Sequence, residues 1–277
     1  MSQAASPPGA ALATSLRQAA LAALATRDVA GKISATQALS SSQTTGADGL
    51  LAAPAGALPG RPDRPLLVPH RDVPQRSLSA PGGLAALIHA LAHIEFNAIN
   101  LSLDATWRFA GLPDAYYRDW VRVAQEEAYH HQLLAGLLQT LGHAYGDLPA
   151  HNALWEMAER TQGDPIARMA LVPRTLEARG LDATPQIQHK LRQLGTPAAQ
   201  RAVDILDIIL RDEVGHVAIG NHWYRWLCAR EGLEPVAHFR ALARQHRAPR
   251  LRAPFNDEAR LRAGFTEEEL GVLKALP

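Results

Sequence analysis

The sequence predicts an all-α protein. Its centre is a four-helix bundle with a crossover connection, flanked by an N-terminal helix and extended strap and by short C-terminal helices. Three observations point there. From Gly82 to Arg230 apolar residues recur at helical spacing, as in Leu84, Ile88, Leu91, Ala92, Ala98 and Ile99. Gly111 with Pro113, Gly142, and Gly195 with Pro197 divide this region into lengths that suit helices rather than strands. No stretch alternates apolar and polar residues well enough for a sheet.

Taken in order, residues 1–9 are small and proline-containing and are expected to be disordered. Residues 10–40 hold one or two Ala/Leu-rich helices, broken around Asp28 to Gly31. From Ser41 to Pro81 the composition turns to Ser, Gly, Pro and Arg, as in GRPDRPLLVPHRDVP. Repeated prolines forbid a continuous helix there, which leaves an extended strap over the bundle. Residues 1–81 therefore form an N-terminal segment, 82–232 the bundle and 233–277 a C-terminal extension packed on it.

Within the bundle the first long helix is placed at 82–109 and the second at 114–141. The loop between them is short, so they must run antiparallel. The third occupies 152–179, with Gly163-Asp164-Pro165 as a break and restart. A further piece follows at 185–194, where Thr184 can cap and Pro185 suits the first turn. The fourth runs over 198–230. Two or three short helices fill 235–277, and the last has capping-box spacing from Thr266 to Glu269.

The chain has 277 residues, 47% of them apolar, which is enough to fill one large core. Its 28 basic and 27 acidic residues nearly balance, so no global charge calls for nucleic acid or an anionic membrane. The one cysteine, Cys228, excludes an intrachain disulfide framework and a thiolate metal cluster made by a single chain. No run reaches the roughly 20 apolar residues that span a bilayer. The Ala/Leu-rich N-terminus has no basic lead-in, and Arg17 and Gln18 interrupt it, so it does not read as a signal peptide. A cytoplasmic protein is expected.

The chemistry lies in a repeated pattern. Glu126-Glu127-Ala128-Tyr129-His130 and Asp212-Glu213-Val214-Gly215-His216 both read acid-Glu-x-x-His. Residues three apart on a helix share a face, so each Glu and its His can serve one metal region. Glu127 shares its face with Trp120, Val123, Ala124, Leu134 and Leu138, and Glu213 with Leu206, Ile209, Leu210, Val217 and Gly220. A carboxylate in such a stripe costs several kcal/mol or more to desolvate, and a cation is the simplest compensation.

Glu95 is the one acid in the apolar face of the first helix. It lies about 14 residues before the turn that Glu127 follows by about 13, so a hairpin brings the two to one height. Glu177 follows an Ala/Met/Leu/Val run near an interruption at Gly180. It sits about 18 residues before the Gly195-Pro197 turn, and Glu213 about 16 after it.

The order Glu95, Glu127-x-x-His130, Glu177, Glu213-x-x-His216 resembles the ferritin-like di-iron carboxylate superfamily. Its bundles supply one Glu from each of two helices and a Glu-x-x-His from each of the other two. The fuller wording AHIEFNAI, MALVPRTLEARGLD, DEVGHVAIG and PFNDEARLRAGF, over about residues 60–265, is similar to a bacterial ferritin-like family of largely unassigned function. The resemblance implies two Fe ions, with Mn or mixed Mn/Fe as alternatives, held by Glu95, Glu127, His130, Glu177, Glu213 and His216. It also implies that Asp212 and Glu126 accept a proton from the far nitrogen of a ligand imidazole on a neighbouring helix, Asp212 from His130.

The implied activity is O2 or peroxide activation for oxidation or hydroxylation of a substrate not yet identified, supported by an unidentified electron donor. By analogy with tRNA-hydroxylating members, modified RNA is one possible substrate class. Iron storage or detoxification and a non-catalytic metal-stabilised binding protein are the alternatives. Arg247, Arg250 and Arg252 form a basic patch that could dock RNA, or else pair with Asp257 and Glu258 or face solvent. A homodimer without membrane contact is the expected assembly. His131 reads as a core or surface histidine, Tyr224 as packing, and His93 and Asp104 point away from the Glu95 face.

Overall fold

A computed structural model describes residues 14–275. The disorder expected of residues 1–9 falls outside them, as do the first residues of the 10–40 segment. The described residues are helical with no strand, and one isolated bridge pairs Leu67 with Ala150.

The N-terminal layer begins with α1 (Leu16–Ala25), closed by a Ser15/Gln18 capping box, and α2 (Val29–Gln37), started by the Asp28 side chain. The break therefore falls at residues 26–28, ahead of Gly31, because Asp28 satisfies the Gly31 N–H and begins a helix there. Residues 38–82 hold no α-helix, only a 3-10 turn at His70–Asp72. This strap does lie on the bundle: Gln125 Nε2 of the second long helix donates to Leu39 O, Gly111 N to Ala47 O, and Val68 N to Ala150 O, while Gly60 N bonds Leu24 O of α1. Gly60 sits so tightly that a Cβ there would come 2.1 Å from Ala25 O.

Four columns form the centre: α3 (Gly83–Arg108), α4 (Asp114–Thr140), a composite third column, and α8 (Pro197–Arg230) capped by Thr196. The composite column comprises α5 (Ala153–Arg160), α6 (Pro165–Leu171), a π-helical stretch (Val172–Glu177) and α7 (Ala178–Leu194). Helix α3 packs along α4, α4 against α8, and both α6 and α7 against α8. By length and composition α3 could cross a membrane, but 72% of its apolar window is buried inside the molecule, as befits a core helix.

The third column corrects the expectation for 178–194. No interruption falls at Gly180 and no restart at Thr184-Pro185; α7 runs unbroken with Pro185 inside it. The irregularity lies earlier, where Pro173 lacks an N–H and the chain widens into π turns. The Thr175 hydroxyl donates to Ala170 O, 2.8 Å away and five residues back, which fits that ladder.

The C-terminal extension comprises α9 (Pro235–Gln245), α10 (Asp257–Arg262) and α11 (Glu267–Ala275). Thr266 and Glu269 cap the last of these reciprocally. Arg247, Arg250 and Arg252 are exposed in the α9–α10 connection, and Asp257 pairs with Lys274 at 2.6 Å.

Buried charge ties the columns together. Asp104 of α3 is fully buried and receives Arg108 at 2.6 Å, Trp107 Nε1 at 3.1 Å and the Arg168 guanidinium from α6. Arg168 also donates to Thr161 Oγ1 and Ala158 O. Burial alone would raise the Asp104 pKa, but Arg168 and Arg108 hold it below its ordinary 3.8. A depressed carboxyl pKa adds stability above that value and loses it as pH falls through the folded-state pKa. Arg168→Met, which leaves Asp104 with Arg108 and Trp107 alone, is expected to lower the unfolding free energy by about 1–3 kcal/mol at neutral pH in chemical denaturation. The difference should shrink as the pH is taken below about 3.8.

Candidate metal centre

The apolar core is split in two. One cluster includes Ala92 of α3, Leu134 of α4 and Ile209 of α8; the other includes Ile99, Ala124 and Val217 of the same helices. Between these positions on each helix lie Glu95, the pair Glu127 and His130, and the pair Glu213 and His216. Repeating acids at one height inside apolar stripes thus makes a polar seam across the bundle.

Glu95, Glu127, His130 and Glu213 are buried, and each offers one donor atom such that all four atoms lie within 4.8 Å of one another. His130 Nδ1 stands 3.3 Å from Glu95 Oε2 and 3.4 Å from Glu127 Oε2. On the other side of Glu127, His216 Nδ1 stands 3.0 Å from Glu127 Oε1 and 3.6 Å from Glu213 Oε1. The two imidazole centroids are 5.8 Å apart. Glu177, the last residue of the π stretch, has a buried Oε2 without a hydrogen-bond partner, and burial and then the charges of Glu213 and Glu127 raise its carboxyl. Glu95, Glu127, His130 and Glu213 thus share one donor cluster and His216 stands against two of them, while Glu177 is tied to the group by charge alone.

The outer nitrogens are held by the two preceding acids, each across the α4–α8 interface. His130 Nε2 lies 3.1 Å from Asp212 Oδ2, and His216 Nε2 lies 2.7 Å from Glu126 Oε2. Arg211 steadies Asp212 through Nε at 2.8 Å and Nη2 at 3.2 Å. A carboxylate only accepts, so both rings carry a proton on Nε2, which leaves Nδ1 as the atom facing inward. The two placements are reciprocal: the acid of each motif serves the histidine of the other.

The inward atoms provide the test of whether a cation fits. Glu95 Oε2, Glu127 Oε2, Glu177 Oε2, Glu213 Oε2, His130 Nδ1 and His216 Nδ1 are all buried without a hydrogen-bond partner. An unmet buried polar atom costs about 1–3 kcal/mol, more when charged. Six such atoms form a donor set compatible with divalent cations, and four carboxylates would balance two dications.

Protons compete for the same atoms. Burial, then the Glu127 charge, pushes the Glu95 carboxyl up to about 7, and burial with Glu213 and Glu127 raises Glu177 well above the ordinary range. Burial opposes a charged imidazole, yet Glu127 and Glu95 hold His130 up to about 11. His216 is likewise held high, chiefly by Glu127 against the effect of burial.

Three further polar residues named in the sequence lie outside the donor set. His131 is a core histidine whose Nδ1 bonds Ala92 O at 2.8 Å. His93 shares a hydrogen bond with the Tyr145 hydroxyl at 2.9 Å and reaches His151 O with its other nitrogen. Tyr224 donates to Pro235 O at 2.7 Å, which is a packing role. Pro173 was the available signal for the π stretch, since a proline within an apolar helical run marks an irregular turn.

Fold and site define a helical protein with a buried Glu/His cluster compatible with metal binding. The chain belongs to the family of proteins of unknown function DUF455, whose model matches residues 25–271. It is 53% identical over 216 residues to an uncharacterized protein of Haemophilus influenzae, a match covering 76% of this chain and 74% of that relative. No solved structure matches the chain.

Because like charges crowd the seam, neutralising one should stabilise the metal-free protein. Glu177→Gln is expected to raise the melting temperature measured in chelator. Added Co2+ should stabilise the wild type, by roughly 2.7 kcal/mol at a hundredfold excess over Kd, and the variant much less. A variant no more stable than wild type in chelator would show that Glu177 is not under charge repulsion.

Proposed function

We propose that this protein is a ferritin-like carboxylate protein that binds two divalent metal ions in the seam and oxidises or hydroxylates a substrate with O2 or peroxide. The reading is carried by one observation: six buried inward-facing donor atoms from four helical columns, none with a hydrogen-bond partner. Four carboxylates and two imidazoles are a hard-to-borderline set suited to Fe or Mn, with iron the cation of choice. Bound there, such ions supply the redox chemistry and the site for an oxygen species.

The chain's own residues then have defined tasks. Glu95, Glu127, His130 and Glu213 would hold one ion, and Glu177 and His216 would help to hold the other. Asp212 and Glu126 keep each imidazole in the Nε2–H form and fix its ring plane. Glu126 is half-exposed, so a proton on His216 Nε2 is one carboxylate away from solvent. The apolar clusters above and below exclude water from the inner oxygens. Substrate and electron donor would approach from outside this shell, in a cytoplasmic setting.

The test is anaerobic reconstitution with ferrous salt followed by metal analysis and oxygen uptake. Two ions per chain are expected, falling to one or none in Glu127→Ala and Glu213→Ala. Asp212→Asn should weaken binding roughly 10- to 100-fold while leaving the fold intact by circular dichroism. Oxygen consumption that requires a small molecule or RNA supports the oxygenase reading. Growth of a ferric core would support storage instead, and bound metal inert to oxygen and peroxide a structural role. No stoichiometric uptake of metal by the wild type would sink the proposal.

A further inference from the structure

Glu177 differs from the other five residues of the seam in its support. They rise from long regular helices, whereas Glu177 ends a π-helical stretch, where one extra residue per turn leaves its facing to whatever holds the stretch in place. Part of that hold is Gly220 of α8. A Cβ there would meet Pro173 Cβ at 2.6 Å, so only glycine lets α8 and the π stretch approach this closely.

The rest comes from the C-terminal extension, which grips the chain on both sides of Glu177. Three residues before it, the buried Arg174 pairs with Glu269 of α11 at 2.7 Å. The Arg174 guanidinium lies within 5.1 Å of the ring centroids of Tyr224, Phe239 and Phe265, and it donates to Asn221 of α8 at 3.1 Å. Asn221 in turn donates to Ala263 O at 2.8 Å, and Glu269 also receives Arg225 at 2.6 Å. On the other side, the fully buried Arg260 of α10 pairs with Asp182 at 2.6 Å and donates to the carbonyl of Ala178, the residue after Glu177, at 3.2 Å. Two ion pairs and their hydrogen bonds thus pin 174–182 from outside the bundle.

We infer that the C-terminal segment 256–269 is a positioning clamp: through Arg174–Glu269 and Asp182–Arg260 it sets Glu177 in place to complete the second of the two cation sites. The inference rests on the di-metal reading proposed above. It assigns the extension a role in assembling the centre without touching it. Among the described residues none of this segment makes a hydrogen bond or ion pair to the six, so its action runs by way of Glu177.

The experiment compares wild type, Glu269→Gln, and the double variant Arg174→Met with Glu269→Leu. The double variant removes both buried charges while keeping apolar volume, which guards against simple unfolding. Each metal-free protein is titrated with Co2+ and followed by visible absorption, and hydrogen–deuterium exchange is mapped in chelator. The wild type is expected to take two ions. Both variants should keep the first ion at wild-type affinity, bind the second roughly 10- to 100-fold more weakly, and exchange faster at 172–178 with α4 unchanged. A general loss of stability would weaken both ions together, so selective loss of one separates positioning from mere support.

Wild-type affinity for both ions in the folded double variant overturns the clamp, whatever the exchange shows. If the wild type itself binds no Co2+, the metal reading fails on its own account. Exchange then decides alone: acceleration confined to 172–178 upholds the clamp on that segment, and unchanged exchange removes it.

Discussion

Four carboxylates packed between two apolar clusters set the terms for the centre of this molecule. At a separation of 4 Å, two like charges repel by about 4 kcal/mol even at an effective dielectric constant of 20. The seam holds Glu95, Glu127, Glu177 and Glu213 with two imidazoles, and among the described residues no lysine or arginine pairs with these acids. Either protons or cations must offset that charge. The elevated pKa of Glu95 and the high proton affinity of His130 show how far the protons are drawn in. Under the proposed reading, divalent cations would meet the same demand at the unpartnered atoms.

Elsewhere the protein handles buried charge differently. Asp104 with Arg168 and Arg108, Glu269 with Arg174 and Arg225, and Asp182 with Arg260 are closed sets in which every acid meets a guanidinium. Lys32, equally buried, donates to three oxygens, on Leu24, Gly60 and Asn100, which suits the three hydrogens of an ammonium. These braces join the strap, the third column and the C-terminal extension to α3 and α8. Closed ion pairs serve the fold, and among the described residues an open cluster of acids lies between the columns. That contrast separates the candidate centre from the surrounding structural polarity.

The reciprocity of the two acid-Glu-x-x-His motifs follows from packing. Asp212 reaches His130 and Glu126 reaches His216 because α4 and α8 pack side by side with their motifs at one height. A residue one position before the inward Glu turns about 100° away, toward the neighbouring helix rather than the interior. Each motif therefore supplies an inward pair and an outward brace with no further sequence requirement.

Much of this was legible in the chain itself. Helical spacing in α3, α4 and α8 and the Gly and Pro stops placed those helices, because periodic burial and backbone restriction are local properties. The spacing of Glu127 and His130, of Glu213 and His216, and the matched distances to the turns were enough to bring six residues together on paper. The third column was not legible in this way. Whether Pro173 or Pro185 disturbs a helix depends on what packs beside it, and Gly220 of α8 makes room for the first. The partners of Arg174, Arg168 and Arg260 were equally hidden, since a buried ion pair joins residues far apart in sequence. Sequence alone determined which side chains share a face and a height. Only tertiary structure decided how Glu177 is held and which charges are closed off, because both are set by contacts between helices that no local pattern encodes.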